Sequence, residues 1–264
     1  MISVENLHVV FNPGTAIENH ALRGVSLTIP TGAFVTVIGS NGAGKSTLLG
    51  ALSGEAAPTQ GRIRIEDQEV TFQPVHKRAK LAARVFQDPL AGTCATLSIE
   101  ENMALALKRG GRRGFGKAVR EERRALFRER LKPLGLGLEN RLGDRIGLLS
   151  GGQRQAVSLV MATLAPSRIL LLDEHTAALD PRMAKFVLEL TRDVVAQYGL
   201  TTLMVTHSMA DALAHGSRTI MLHQGRIALD VADPERQSMT IGDLLEMFSK
   251  VRGEEIRDDK LLLS

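Results

Sequence analysis

Nine consecutive residues, Gly39, Ser40, Asn41, Gly42, Ala43, Gly44, Lys45, Ser46 and Thr47, follow the Gly-x4-Gly-Lys-Ser/Thr pattern of a loop that holds phosphate. Gly42 and Gly44 let such a loop wrap β- and γ-phosphates without Cβ clashes, so that backbone N–H groups point inward. A helix N-terminus behind the loop adds roughly half a positive charge, and Lys45 adds a full one. The Ser46 hydroxyl is offered to Mg²⁺, with Thr47 close behind. Further along, the apolar run Ile169, Leu170, Leu171, Leu172 ends in Asp173 and Glu174. Two carboxylates together at the end of a buried strand are costly unless a cation or a water uses them. Their positions divide the work: Asp173 suits the Mg²⁺ shell, and Glu174, one residue on, suits the proton of an attacking water. Read alone, the same pair is an acidic loop after a core strand. A third segment, Ser150, Gly151, Gly152 and Gln153, stands before a helical stretch over residues 154–164. A hydroxyl, bare glycine amides and a helix N-terminus form an anion site, although these residues also make a plain N-cap turn.

These groups need a scaffold that brings strand ends together. Residues 33–38, 169–172 and 202–206 are short continuous apolar runs, each followed by a helix-type segment, as in buried parallel strands. Residues 2–11, 25–30 and 61–66 alternate apolar and polar between turn residues, which suggests an antiparallel β subdomain near the N-terminus. Ser98 and Glu101 form a capping box that opens a helix toward Lys108, and residues 117–134 read as a charged helix ended by Gly135 and Gly137. Met183, Val187, Leu190 and Val194 give one apolar face to a helix begun by Asp180 and Pro181. The expected fold is α/β, a P-loop NTPase core with a mixed or parallel sheet. It carries the antiparallel β subdomain and a helical insert over about residues 88–165. One domain is expected over 1–232, and a tail over 233–264 with one short helix capped at Thr240 and packed on the core. The chain contains no internal repeat.

Composition narrows the class without naming it. With 264 residues, 44% apolar and 23% charged, the chain suits one large α/β unit with a smaller lobe. The single cysteine, Cys94, cannot make an internal disulfide, which points to a reducing compartment and a small half-buried side chain. No apolar stretch is long enough to span a bilayer, and the first ten residues lack the pattern of a signal peptide. Any channel is therefore expected on another polypeptide. The net charge is +4, but residues 108–124 hold eight Lys or Arg against two Glu. Phe115 is the only aromatic there, so nucleic acid is not the expected partner. A solvated loop and a basic surface for anionic lipid headgroups both fit.

Taken together, the phosphate loop, the Leu149-Ser150-Gly151-Gly152-Gln153 segment, the Asp173-Glu174 pair and His207 resemble the ATPase subunit of an ABC transporter, over about residues 2–230. The resemblance implies ATP and Mg²⁺ as cofactors and hydrolysis of ATP. It implies that Ser150, Gly151, Gly152 and Gln153 close over the γ-phosphate held by a second copy. Two anion sites in one chain then make sense as a head-to-tail pair with two ATP molecules between its halves. Gln87 matches the glutamine that senses Mg²⁺ and water and links the core to the helical insert. His207 matches the histidine that contacts the γ-phosphate, and Ala178-Leu179-Asp180 the loop that crosses to the other subunit. Either Gln87 or His207 alone would read as surface-polar. Phe11 is the candidate to stack on adenine, with a core phenylalanine as the other reading. The wording departs from the family at His175-Thr176-Ala177, where Pro-Thr-Ser is commoner; this puts one cross-subunit contact in doubt. The Glu-His-Thr-Ala-Ala-Leu-Asp wording is similar to ATPases of small-solute importers, some for amino acids. The implied partners are a transmembrane permease, a second copy and a substrate-binding protein, with the chain peripheral at the cytoplasmic face of the membrane. The alternative is an ABC ATPase in a non-transport complex, for cofactor assembly or as a nucleic-acid clamp. A long heptad insertion and a second cassette, which such DNA-repair and ribosome-associated proteins carry, are both missing.

Overall fold

The computed structural model describes residues 1–111 and 116–250. Strand β1 (Ile2–Phe11) pairs antiparallel with β2 (Asn19–Ile29) and with β4 (Gln60–Ile65), and β5 (Gln68–Glu69) extends that sheet in the order β2-β1-β4-β5. A second sheet of six strands has the order β10-β9-β3-β8-β7-β6. Its members are β3 (Phe34–Gly39), β6 (Ala82–Val85), β7 (Ile169–Asp173), β8 (Thr201–Val205), β9 (Arg218–His223) and β10 (Arg226–Ala232). Pairing is parallel from β9 through β6, and β10 closes the edge antiparallel. The sheet is therefore mixed, within the α/β class expected.

The period of two along the strands explains the layers. Helix α1 (Lys45–Ser53) follows β3 and packs between the sheets, where Leu48, Leu49 and Leu52 meet Ile2, Leu7, Ile63, Leu171 and Leu203 in one buried cluster. The alternate residues Leu170, Leu172 and Met204 face the other way. They pack on α5 (Gly151–Leu164) through Leu159 and on α6 (Pro181–Tyr198) through Val194 and Val195. Strand β7 is buried along its whole length because both faces are covered. The short helix α2 (Val75–Arg78) precedes β6, and a separate cluster joins α5 to α3 (Ile99–Leu107) and α4 (Glu121–Leu131), forming the expected helical lobe.

Several local expectations meet their counterparts. Ser98 accepts from Glu101 N, and the Glu101 carboxylate accepts from Ser98 N, so the capping box opens α3. Asp180 caps α6, and Gly199 in the left-handed region ends it. Thr240 caps helical residues 241–250 by accepting from Asp243 N, and Leu244 packs fully buried against Ile38 and Met221. The charged helix read over 117–134 is shorter. It starts at Glu121 and gives way to a 3-10 turn, Lys132–Leu134. Pro133 has no N–H to continue the α ladder. Cys94 is exposed rather than half-buried. Its backbone N–H and carbonyl are tied to the buried Asn102, so the loop is anchored while the thiol faces out. Arg112, Arg113, Gly114 and Phe115 lie outside the described residues.

Candidate functional site

The C-terminal ends of β3, β7 and β8 lie side by side, where open α/β sheets gather ligands. Gly39 closes β3 at φ 146°, and a Cβ there would lie 2.2 Å from the Leu222 carbonyl oxygen. Gly44 caps α1 at φ 100°, and a Cβ there would lie 2.5 Å from the Ala21 carbonyl oxygen. Both positions therefore exclude any side chain. The crowding comes from neighbouring backbone, whereas the space beside Gly42 is open.

Lys45 is buried, and its ammonium donates to the carbonyls of Gly39 at 2.9 Å and Ser40 at 3.0 Å. Burial lowers its pKa, and the charges of Glu174 and Asp173 oppose that shift. Ser46 Oγ donates to Asp173 Oδ1 at 3.1 Å. Arg84 Nη2 donates to Asp173 Oδ2 at 2.5 Å, and its other nitrogen Nη1 pairs with Glu55. His207 Nε2 meets Glu174 Oε1 at 2.6 Å. Glu174 itself has φ 47°, a left-handed conformation that costs a non-glycine residue of order 1–3 kcal/mol and is typical of functional sites.

A cavity of about 410 Å³ is lined by Asn41, Gly42, Ala43, Gly44, Lys45, Ser46, Thr47, Gln87, Glu174 and His207, with Phe11, Asn19 and Ala21 on another side. It unites almost all the residues predicted for one nucleotide. Phe11 is 41% exposed, so it is no core residue. Asp173 lies behind the cavity, reached through Ser46. For Mg²⁺ the donors fit: a hydroxyl and a carboxylate oxygen 3.1 Å apart. Among the described residues no cluster of three or more His, Cys, Asp or Glu offers a metal site.

Ser150, Gly151, Gly152 and Gln153 stand apart from that cavity. Ser150 Oγ accepts from Gln153 N at 3.3 Å and the Gln153 side chain accepts from Ser150 N at 3.2 Å, a capping box at the start of α5. The N-cap turn read from the sequence is thus present, and Ser150 and Gly151 face solvent.

The sequence did not reveal the roles of three residues. Arg84 was detectable as a lone charge inside the apolar run Leu81-Ala82-Ala83-Arg84-Val85-Phe86. Gln155 is buried and donates to the Phe86 carbonyl at 3.1 Å, which ties α5 to the residue before Gln87. His175 is buried, and its Nε2 meets Thr191 Oγ1 at 3.0 Å. Burial, with the nearby His215, pushes its pKa down to about 4, so the ring is neutral at physiological pH.

Residues 22–177 match the family profile described as ABC transporter. The tyrosine transport ATP-binding protein of Clostridioides difficile (strain R20291) is 42% identical over 248 residues, covering 94% of this chain and 98% of that one. The methionine import ATP-binding protein MetN of Brucella abortus (strain 2308) is 37% identical over 217 residues, which cover 80% of this chain and 55% of that longer one. Among solved structures, the dimeric ATP-binding cassette MJ0796, in a post-hydrolysis state bound to ADP and Pi, superposes with a TM-score of 0.75. It is 30% identical, with 88% of this chain and 98% of that one covered. The phosphate loop, the paired acids and the exposed serine-glycine cap therefore sit in a chain that belongs to the ABC transporter family, as an ATP-binding subunit.

Proposed function

We propose that this chain hydrolyses Mg²⁺-bound ATP to drive a separate membrane permease, importing a small solute of the amino-acid class. The phosphate loop and Lys45 bind the phosphates. Ser46 and Asp173, with Gln87 nearby, would hold Mg²⁺, which would neutralise phosphate charge. Glu174 takes the proton of the attacking water, and His207, hydrogen-bonded to it, faces the γ-phosphate. Ser150 and Gly151, exposed and outside the chain's own cavity, close over ATP held by a second copy, so the working unit is a head-to-tail pair. Phe11 stacks on adenine. The solute class is supported by relatives named for tyrosine and methionine. Import of such a solute calls for a substrate-binding protein as a third partner.

The observation that carries coupling to a permease is the position of residues 84–87. Gln87 lines the nucleotide cavity, while Arg84, Val85 and Phe86 line a second cavity of about 860 Å³. That groove lies at the seam between the core and the helical lobe, reaching from Val75 and Lys80 to Pro89 and Leu105. A helix seated there presses on the segment that ends in Gln87. Among the described residues no helix is long and apolar enough to cross a membrane, which fits a peripheral subunit on the cytoplasmic face. The test is co-purification of a multi-span permease with this chain. Loss of that complex on filling the groove, for example with Leu105→Arg, is expected; a complex unaffected by it contradicts the proposal.

The basic stretch divides on inspection. Arg124 is paired with Glu100 and Glu121, and Arg109 donates to the carbonyls of Ala79, Ala162 and Ala165. Lys108, Lys117, Arg120 and Arg123 instead line a cleft of about 260 Å³, which shares Leu105 and Lys108 with the permease groove. The cations of that cleft, of which Arg123 also donates to the Ala118 carbonyl, thus lie beside the groove proposed for the permease. Replacing Arg120 and Arg123 by Ser removes about 1 kcal/mol each of attraction to an anionic surface. Binding to vesicles containing phosphatidylserine should fall about 10- to 30-fold at low salt, and less at high salt. ATPase activity of the isolated subunit should be unchanged. Equal vesicle binding by parent and variant at both salt concentrations would return the stretch to a solvated surface.

A further inference from the structure

Glu174 holds a backbone conformation that its own chemistry does not favour. A left-handed glutamate persists only where the surroundings over-determine it. On one side, Glu174 N donates to the Val205 carbonyl at 3.1 Å, which fixes it to β8. On the other side stands His175, the residue that replaces the commoner proline. Its side chain is buried, and its Nε2 lies 3.0 Å from Thr191 Oγ1, also buried. Thr191 Oγ1 already donates its proton to the Val187 carbonyl at 2.8 Å. The hydroxyl is therefore the acceptor, and His175 Nε2–H the donor. This single bond links the residue after Glu174 to the middle of α6.

Helix α6 in turn abuts the start of α5 at Gly152. A Cβ at Gly152 would lie 2.7 Å from Met183 Cε, and one at Gly151 would lie 3.7 Å from Leu179 Cδ2. The chain between them is tightly turned, with Ala177 N donating to the Glu174 carbonyl and Leu179 N to the Thr176 carbonyl. The strand end that carries Glu174 and the helix that packs on Gly152 through Met183 thus share one polar pin inside the protein.

We propose that His175 is a positioning residue, whose hydrogen bond to Thr191 fixes the left-handed backbone at Glu174 and so the aim of its carboxylate. The inference rests on the reading of Glu174 as general base. Small misplacements of a catalytic group cost up to about a hundredfold in rate, whereas binding of nucleotide depends on the phosphate loop, whose Lys45 is held by the Gly39 and Ser40 carbonyls. Loss of the pin should therefore lower kcat and spare KM.

The experiment uses the full chain and compares Thr191→Val, which keeps the shape and removes the acceptor, with Thr191→Ser, which keeps the hydroxyl. Steady-state ATPase assays should give Thr191→Val a kcat about tenfold below the parent with KM for ATP within about twofold. Thr191→Ser should stay within about twofold of the parent in both. In a Glu174→Gln background, adding Thr191→Val should slow turnover no further, because the pin acts through Glu174. Parent kcat in Thr191→Val, or equal losses in the Val and Ser variants, would overturn the proposal. A slow Glu174→Gln beside a fully active Thr191→Val overturns the pin alone. A Glu174→Gln variant at the parent rate overturns both the pin and the base on which it rests.

Discussion

Glu174→Gln should leave ATP binding nearly intact and lower turnover by about 10²–10⁴-fold, the usual weight of a general base. Glutamine keeps the volume of the side chain and its contact with His207, whose Nε2 lies 2.6 Å from Glu174 Oε1. It removes the basic lone pair that takes the proton from water. Nothing in the phosphate loop changes, since Lys45 is held by the Gly39 and Ser40 carbonyls rather than by the acid. If hydrolysis is what separates two copies, the variant accumulates as an ATP-bound dimer. Size-exclusion chromatography with and without ATP reads this directly. A variant that hydrolyses at the parent rate would falsify the assignment of Glu174.

Lys45→Ala should act on binding instead. The ammonium is the one full positive charge on the phosphate loop, and the residue is 4% exposed. Charge-assisted hydrogen bonds contribute about 1.5–3 kcal/mol each, so nucleotide affinity should fall about ten- to a hundredfold. The lowered pKa of Lys45 arises first from burial, and Glu174 and Asp173 counter it. Bound phosphate adds further negative charge and favours the ammonium form. Titration with a fluorescent ATP analogue measures the loss. Parent-like affinity would show that the loop does not hold the phosphates.

Much of this site was legible because its signals are local. The phosphate loop, the capping box at Ser98, the N-cap turn at Ser150 and the Asp180-Pro181 start of α6 each lie within a few adjacent residues. The continuous apolar runs revealed β3, β7 and β8 because both faces of a central parallel strand are covered. Strand β6 was missed: it is four residues long and carries a charge at Arg84. The meaning of that charge lies at Asp173, far away in sequence, and only the pairing of β6 with β7 brings them together. The β9–β10 hairpin was missed although Gln224 and Gly225 supply its positive-φ turn. A register shift between Ile227 and Leu229 breaks the alternation that would have marked β10. The helix α7 (Met209–Ala214) is too short to show a period. His175 shows the same limit, because a buried histidine is recognisable only once Thr191 on α6 stands opposite it.

Ser150 is proposed to act on nucleotide bound by another copy. This can be read with two chains, one carrying Ser40→Cys and the other Ser150→Cys. Both need the exposed Cys94 replaced by Ser and the Glu174→Gln change to hold ATP. Under mild oxidation a disulfide between the two different chains should form with ATP and Mg²⁺ and disappear without them. A chain carrying both cysteines that cross-links only within itself, or separate chains that never cross-link with ATP, would contradict the head-to-tail arrangement.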